Sequence, residues 1–176
     1  MFCDDYKCDR CGFQATAVFG AIGYYRFPDG YQLPALTDPA WCNICKDITS
    51  VEALQPTDEL AEEIARLRRE DFNDWDLECA AQFGELVDEM AAKRVERLLE
   101  YVQRFESRSI PNRCTECGFS DFRRLDELSV YRGLPDMFPH FKCGGMLRHT
   151  DWCHAIPATY FVLDADGNRM PAGKPT

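Results

Sequence analysis

Closely spaced pairs of cysteines are the feature that most restricts how this chain can fold. Of ten cysteines in 176 residues, six form three Cys-x-x-Cys pairs, and a His-x-x-Cys pair has the same spacing. The pairs are Cys8/Cys11, Cys42/Cys45, Cys114/Cys117 and His140/Cys143. Two donors three residues apart can lie on one side of a tight turn and bind the same ion, and a tetrahedral ion needs two such pairs. Four pairs therefore predict two metal sites.

The pairs belong to an internal repeat. Each end of the chain contains, in the same order, a Cys-x-x-Cys-Gly-Phe start, a segment with tyrosine, arginine and a Pro-Asp dipeptide, and a closing pair of donors. This order predicts that each copy closes its own site. The first site would comprise Cys8, Cys11, Cys42 and Cys45, and the second Cys114, Cys117, His140 and Cys143.

The donor types favour zinc, because thiolate sulfur and imidazole nitrogen both suit a tetrahedral Zn²⁺ ion. Four protein donors leave no position for water, so we expect two structural zinc ions per chain. The fourth donor of the second site stays open, since His149, Cys153 and His154 lie just downstream and can replace His140. A thioredoxin-like redox pair would need a βαβ context, which the flanks lack.

Both flanks resemble zinc ribbons of the rubredoxin-like type, in which two knuckles on β-hairpins bind one zinc ion. Residues 143–147 (C-G-G-M-L) are similar to the closing knuckle of that family, with His140 in the place of its first ligand. Lys46 departs from the pattern, because the family has a glycine there. The resemblance covers the two flanks alone. It implies a fold element and leaves the function open.

The stretch between the second and third pairs predicts a helical hairpin. Thr57 can cap a first helix, and apolar residues recur at spacings of three and four before and after an expected turn or kink near residues 71–76. We therefore predict an α+β fold, with two zinc-ribbon β modules flanking a central acidic helical hairpin. The predicted boundaries are 1–56 for the first ribbon, 57–107 for the hairpin, 108–150 for the second ribbon, and 151–176 for a C-terminal β-hairpin and tail.

The charge of the chain disfavours nucleic acid as a partner. The chain contains thirty acidic and twenty basic residues, and residues 57–107 contain fifteen acidic and seven basic ones. Such an excess repels a phosphate backbone unless basic residues cluster locally. The second ribbon offers such a cluster in Arg108, Arg113, Arg123, Arg124, Arg132, Lys142 and Arg148. A nucleic-acid-associated zinc ribbon is therefore the alternative function.

Catalytic residue types crowd only at residues 149–154, which contain two histidines and a cysteine. A Cys/His nucleophile or an open metal site at these residues is the least favoured hypothesis. We therefore predict that the protein is not an enzyme. The segment at 164–168 resembles the start of a calcium loop, but Arg169 stands where that loop needs glycine, so we expect a turn. Cys3 and Cys79 are predicted to be reduced thiols.

No apolar run approaches the about twenty residues that a membrane span needs, and residues 1–5 lack the form of a signal peptide. We therefore expect a cytoplasmic protein whose cysteines bind metal. The function expected from these features is the binding of another protein that has a basic surface. A small acidic chain of this kind suits a stoichiometric inhibitor, for example a toxin-immunity protein.

Overall fold

The computed structural model describes residues 2–18, 23–106, 108, 111–126, 135–154 and 161–171, with backbone alone at residues 2 and 152–154. These residues form three helices and eleven strands in three sheets, so the predicted α+β class is confirmed. The strands are β1 (Phe2–Cys8), β2 (Gln14–Val18), β3 (Gly23–Arg26), β4 (Gln32–Ala35), β5 (Thr37–Cys42), β6 (Asp47–Glu52), β7 (Phe122–Arg124), β8 (Met137–Pro139), β9 (Met146–His154), β10 (Phe161–Leu163) and β11 (Arg169–Met170). The helices are α1 (Thr57–Arg68), α2 (Asp74–Phe83) and α3 (Val87–Phe105).

All eleven strands belong to one compact unit, which joins residues Met1–Leu54 to residues Ile110–Thr176. The first sheet has the order β2-β1-β9-β8, the second β11-β10-β3-β4 and the third β6-β5-β7. Every sheet therefore combines strands from both ends of the sequence. In the first sheet β1 pairs antiparallel with β9, and in the third β5 pairs antiparallel with β7. The expected division into one ribbon at 1–56 and another at 108–150 is wrong, because backbone hydrogen bonds join the two flanks.

The core of this strand unit lies between the sheets and next to the metal-ligand pairs. Tyr6, Trp41, Leu125, Phe138 and Leu147 form one buried cluster. Burial raises the pKa of the Tyr6 phenol, with further contributions from nearby carboxylates, and its hydroxyl donates to the Pro135 carbonyl. These aromatic side chains fix the strands that carry the first and last ligand pairs.

A buried carboxylate connects the second and third sheets. Glu52, at the end of β6, is 1% exposed and accepts hydrogen bonds from the Tyr25 hydroxyl at 2.7 Å and from the Arg113 backbone N–H at 2.9 Å. The Glu52 N–H in turn donates to the Arg113 carbonyl, and Leu54 exchanges hydrogen bonds with Asn112. The chain therefore leaves the strand unit and returns to it at neighbouring positions.

The residues between these positions, Gln55–Ser109, form a separate compact unit of helices. The predicted hairpin has three helices in place of two. Gly84 adopts a left-handed φ of 67° and ends α2, so the segment that was predicted as the second helix of the hairpin is divided into α2 and α3. Asn73 and Asp76 form a capping box at the start of α2. Thr57 is the first residue of α1, and it is preceded by Pro56 at the cap position.

An ion-pair network joins the three helices. Asp76 of α2 is 1% exposed and contacts Arg66 of α1 at 2.7 Å and Arg94 of α3 at 3.0 Å. Both arginines also contact Glu63, at 2.8 and 2.9 Å. Burial raises the pKa of Asp76, but hydrogen bonds from Arg66 and the Asn73 N–H outweigh it and lower that pKa. None of the described helices is long and apolar enough to cross a membrane.

Candidate metal centres

The first cluster comprises Cys8, Cys11, His140 and Cys143. Cys8 ends β1 and Cys11 lies in the turn after it, while His140 follows β8 and Cys143 lies in the turn before β9. The Cys8 and Cys143 sulfurs are 3.4 Å apart, and His140 Nδ1 lies 3.4 Å from the Cys11 sulfur and 3.1 Å from that of Cys143. The pairing of β1 with β9 brings the two ligand pairs together.

Hydrogen bonds between the two turns stabilise the first cluster. The Asp9 N–H donates to the Met146 carbonyl, and the Met146 N–H donates back to the Asp9 carboxylate at 2.9 Å. Gly145 lies where the turns approach most closely. A Cβ atom there would stand 2.9 Å from the Cys8 sulfur and 2.6 Å from Cβ of Arg10, so no larger residue fits without a shift. The Gly145 N–H also donates to the Cys143 sulfur.

The His140 ring is held by aromatic packing. It is fully buried and stacks on Phe13 with ring centroids 4.8 Å apart, and Trp41 meets it edge-on at 5.3 Å. Its Nδ1 faces the cysteine sulfurs, whereas Nε2 finds no hydrogen-bond partner among the described residues. Metal-binding histidines commonly donate the second ring N–H to an acceptor. Here the orientation of the ring comes from Phe13 and Trp41 instead.

The second cluster comprises Cys42, Cys45, Cys114 and Cys117. Cys42 ends β5, and Cys114 lies opposite Val51 of β6 in an isolated β-bridge. The Cys42 and Cys117 sulfurs are 3.6 Å apart, and those of Cys45 and Cys114 are 3.9 Å apart. Antiparallel pairing of β5 with β6 and β7 therefore positions both pairs.

A threonine outside the ligand pairs also contacts the second cluster. The Thr49 hydroxyl lies 3.2 Å from the Cys114 sulfur. Burial raises the pKa of that thiol, but the contact with Thr49 and the N–H groups of Cys117 and Glu116 outweigh it, and its pKa is lowered. The sequence contained no signal for this contact, because Thr49 reaches the sulfur only through the pairing of β6 with the segment around Cys114.

The thiols within each cluster are not equivalent. In the first cluster burial raises the pKa of Cys8, but N–H groups of Cys11 and Arg10 and its neighbouring ligands lower it to about 6. In the second cluster burial and neighbouring thiols raise the pKa values of Cys42 and Cys45. Sulfurs this close cannot all carry negative charge unless a cation compensates them. The arrangement therefore favours a bound cation in each cluster.

The distances fit a tetrahedral ion. Two sulfurs that each lie 2.3 Å from such an ion are about 3.8 Å apart, and all ligand atoms of each cluster lie within 4.8 Å of one another. A disulfide would require about 2.05 Å, and the seven cysteines of the two clusters are all free thiols. The two clusters can therefore hold metal ions. Four protein donors in each leave no position for a substrate or a water molecule.

The eight predicted donors are those that the structure brings together, but the predicted pairing is wrong. We expected Cys8/Cys11 to join Cys42/Cys45, and Cys114/Cys117 to join His140/Cys143. The structure instead combines the first pair with the last and the second with the third. The order of pairs along a chain does not determine which pairs meet, and four pairs can combine in three ways. Here the strand pairing across the flanks decides, as β1 lies beside β9 and β5 beside β7.

Of the alternative donors predicted from the sequence, His149 is the one whose side chain the structure describes. His149 lies on β9, where its Nε2 is 2.9 Å from the Asp4 carboxylate, and it belongs to neither cluster. The side chains of Cys153 and His154 lie outside the described residues. Cys79 is a free thiol, as expected. Cys3 is not, because it is disulfide-bonded, and the residue opposite it in the register of β1 and β9 is Cys153.

The segment at 164–168 forms a turn between β10 and β11. The Asp164 carboxylate accepts hydrogen bonds from the backbone N–H groups of Asp166 and Asn168, at 3.0 and 2.8 Å. A carboxylate that caps its own turn in this way explains the sequence without calcium. Two arginines of the expected basic cluster form ion pairs: Arg124 contacts Asp38 and Asp126, and Arg148 contacts Asp9. Arg132 lies outside the described residues.

No family model, no curated protein and no solved structure matches this chain. Its function must therefore be inferred from the two clusters, the two compact units and their charges.

Proposed function

We propose that each cluster binds one zinc ion and that both ions are structural. The donor sets, four cysteines in one cluster and three with a histidine in the other, are those of structural zinc sites. Structural zinc contributes about 10–16 kcal/mol in small domains, comparable to the stability of a whole fold of about 5–15 kcal/mol. The zinc ions would hold the flanks together where the sheets are short. Metal analysis of the purified chain should find about two zinc ions per molecule.

We further propose that the protein is not an enzyme and acts by binding another protein. The observation that carries this proposal is the character of the helical unit. It contains most of the acid excess of the chain, and it also exposes large apolar side chains. These are Trp75, Leu77, Phe83, Leu86 and Leu99. Exposed apolar groups surrounded by one sign of charge are typical of a surface that binds a partner of opposite charge.

The mechanism would be steric and electrostatic. The carboxylates of the helical unit would attract a protein with a basic surface and raise the association rate, and the apolar side chains would supply affinity once the two surfaces meet. A stoichiometric inhibitor works in this way, and a cytoplasmic immunity protein that covers the basic active site of a toxin is one example.

The test is co-purification of partners from the native host at low and at high salt. A basic protein that binds at about 50 mM salt and dissociates at about 500 mM would support the proposal, because the Debye length falls from about 14 Å to about 4 Å between these concentrations and the higher salt screens such contacts. A protein of the same size and net charge but unrelated sequence serves as the control bait. If the same proteins bind both baits, or if none binds this chain, the proposal fails.

Nucleic acid is the second candidate partner. The guanidinium of Arg123 lies 4.8 Å over the partly exposed Phe141 ring, a pair that can stack on a base. Against it stand the ion pairs of Arg124, Arg148 and Arg169 with carboxylates, which reduce the positive charge available to phosphate. The test is a filter-binding assay of the chain with nucleic acid in a salt titration, because an absence of binding, or a log–log slope near zero, excludes phosphate contacts.

A further inference from the structure

The helical unit contains an apolar groove between the end of α1 and the first three turns of α3. Its volume is about 400 Å³. Leu67 and Phe72 line one side, and Val95 and Leu99 line the other. Leu99 is 40% exposed, although it is a large apolar residue on the helix with the most regular apolar spacing. The groove is therefore an apolar surface that the unit itself does not cover.

One face of α3 forms the long wall of the groove. The residues of this helix that line it are Asp88, Ala91, Ala92, Val95, Glu96 and Leu99, which follow one another at steps of three and one. Such residues form a single stripe along a helix. The opposite side of α3 carries Arg94, which contacts Asp76 and Glu63 within the unit. The stripe thus extends along about three turns of helix and has no role in the ion-pair network.

Acidic side chains border this stripe. Glu70, Asp88 and Glu96 lie at the edge of the groove, and Arg68 is the basic residue there. The surrounding unit has fifteen acidic and seven basic residues between positions 57 and 107. We propose that the groove binds an amphipathic helix of a partner protein, with an apolar stripe that enters the groove and lysine or arginine residues on both sides of it. This inference rests on the proposed function and specifies its surface.

The charges favour such a partner over a second copy of this chain. Two copies that met through this face would bring Glu70, Asp88 and Glu96 of one against the same residues of the other. Like charges across an interface disfavour association, whereas a basic helix is attracted at a distance and oriented as it docks. A groove lined by about three turns of α3 also matches the length over which a helix presents residues at i, i+3, i+4 and i+7.

The test uses the full chain and a fluorescent designed peptide of about eighteen residues, a length that can form a helix on binding. Leucines occupy one face and lysines flank them. One control peptide has the same composition with the leucines in scrambled order, and another has glutamate in place of lysine. Fluorescence anisotropy should show that the first peptide binds with a Kd in the micromolar range, about 10-fold or more tighter than either control.

Two variants locate the binding surface. Leu99→Glu should weaken binding about 10-fold or more, because it places a charge in the apolar stripe and removes a contact. Ala92→Trp, at an exposed position in the same stripe, should weaken it by filling the groove. The matched control is Leu36→Glu, since Leu36 is 52% exposed in the strand unit and does not line the groove. Thermal unfolding of each variant establishes that the helical unit is intact.

The inference is overturned if the scrambled peptide binds as well as the ordered one, or if Leu36→Glu weakens binding as much as Leu99→Glu. Dimers that form in the wild-type chain and disappear in Leu99→Glu would make a second copy the occupant and would also overturn it. The proposed function is tested separately. If a basic partner from the host binds Leu99→Glu as tightly as wild type, protein binding stands and the groove is not its site.

Discussion

Replacing Cys42 and Cys117 together by serine should remove one zinc ion from the chain and leave the other bound. Their sulfurs are 3.6 Å apart in the second cluster, so the second substitution damages a site that the first has already opened. Replacing Cys42 together with Cys11 should instead remove both ions, because these residues belong to different clusters. A pairing in the order of the sequence predicts the reverse result for the two double variants.

The magnitude follows from the ligand sets. Zinc in such sites contributes about 10–16 kcal/mol, and the loss of one of four donors removes most of that from its own cluster. A second substitution in the same cluster then adds little, whereas one in the other cluster adds a similar amount, as expected for coupled and independent sites respectively. The wild-type chain should hold about two zinc ions, the Cys42/Cys117 variant about one, and the Cys11/Cys42 variant about none.

Native mass spectrometry of chains folded in excess zinc gives the count. Cobalt substitution gives a second readout, since the Cys42/Cys117 variant retains the cluster with three thiolates and a histidine, and cobalt in that environment absorbs at shorter wavelength than cobalt bound by four thiolates. The single variants serve as controls and should each hold about one ion. If the Cys11/Cys42 variant keeps one ion and the Cys42/Cys117 variant keeps none, the observed pairing, first pair with last and second with third, is refuted.

Three further predictions concern the surroundings of the clusters and the helical unit. Thr49→Val should weaken metal binding at the second cluster about 10–100-fold in a competition titration, whereas Thr16→Val, at a threonine that contacts Asp5, should not change it. Asp76→Ala should destabilise the helical unit by about 3 kcal/mol in urea unfolding followed by the helical circular dichroism signal, because it leaves two arginines without their shared carboxylate. Since the folded-state pKa of Asp76 lies below its ordinary value of 3.8, its stabilisation is present above that pH and is lost as the pH falls further; Asp76→Asn should flatten this acid dependence.

The donors could be predicted from the sequence because their signal is local. A Cys-x-x-Cys turn is specified by four neighbouring residues, and Gly12 and Gly118, which follow two of the pairs, both adopt a left-handed φ. Which pairs meet depends on β1 lying beside β9, a contact between residues far apart in the sequence. Neither strand contains a signal for its partner, so the assumption that the nearest pairs meet gave the wrong combination.

The helical segment shows the same limit at a smaller scale. Its apolar periodicity correctly predicted helical structure. The same spacing of apolar residues continues across Gly84, however, so the spacing alone does not show that the helix is interrupted there. The capping box of Asn73 and Asp76 was a second missed signal. The structural role of Asp76 could not be predicted from the sequence either, because it depends on contacts with Arg66 and Arg94, which come from the two other helices.

The ligand pairs are nested along the sequence, with the second cluster enclosed between the two halves of the first. This arrangement determines the order in which the chain can acquire its metal ions during synthesis. Cys42 and Cys117 are 75 residues apart, and Cys8 and Cys143 are 135 residues apart. At about 5–20 residues per second, the ribosome needs roughly 7–27 s to add the residues that separate Cys8 from Cys143. The second cluster can therefore close first, whereas Cys8 and Cys11 must wait for the last pair to emerge. During that interval Cys8 and Cys11, the first pair of donors to leave the ribosome, remain open longest to oxidation or to a wrong partner.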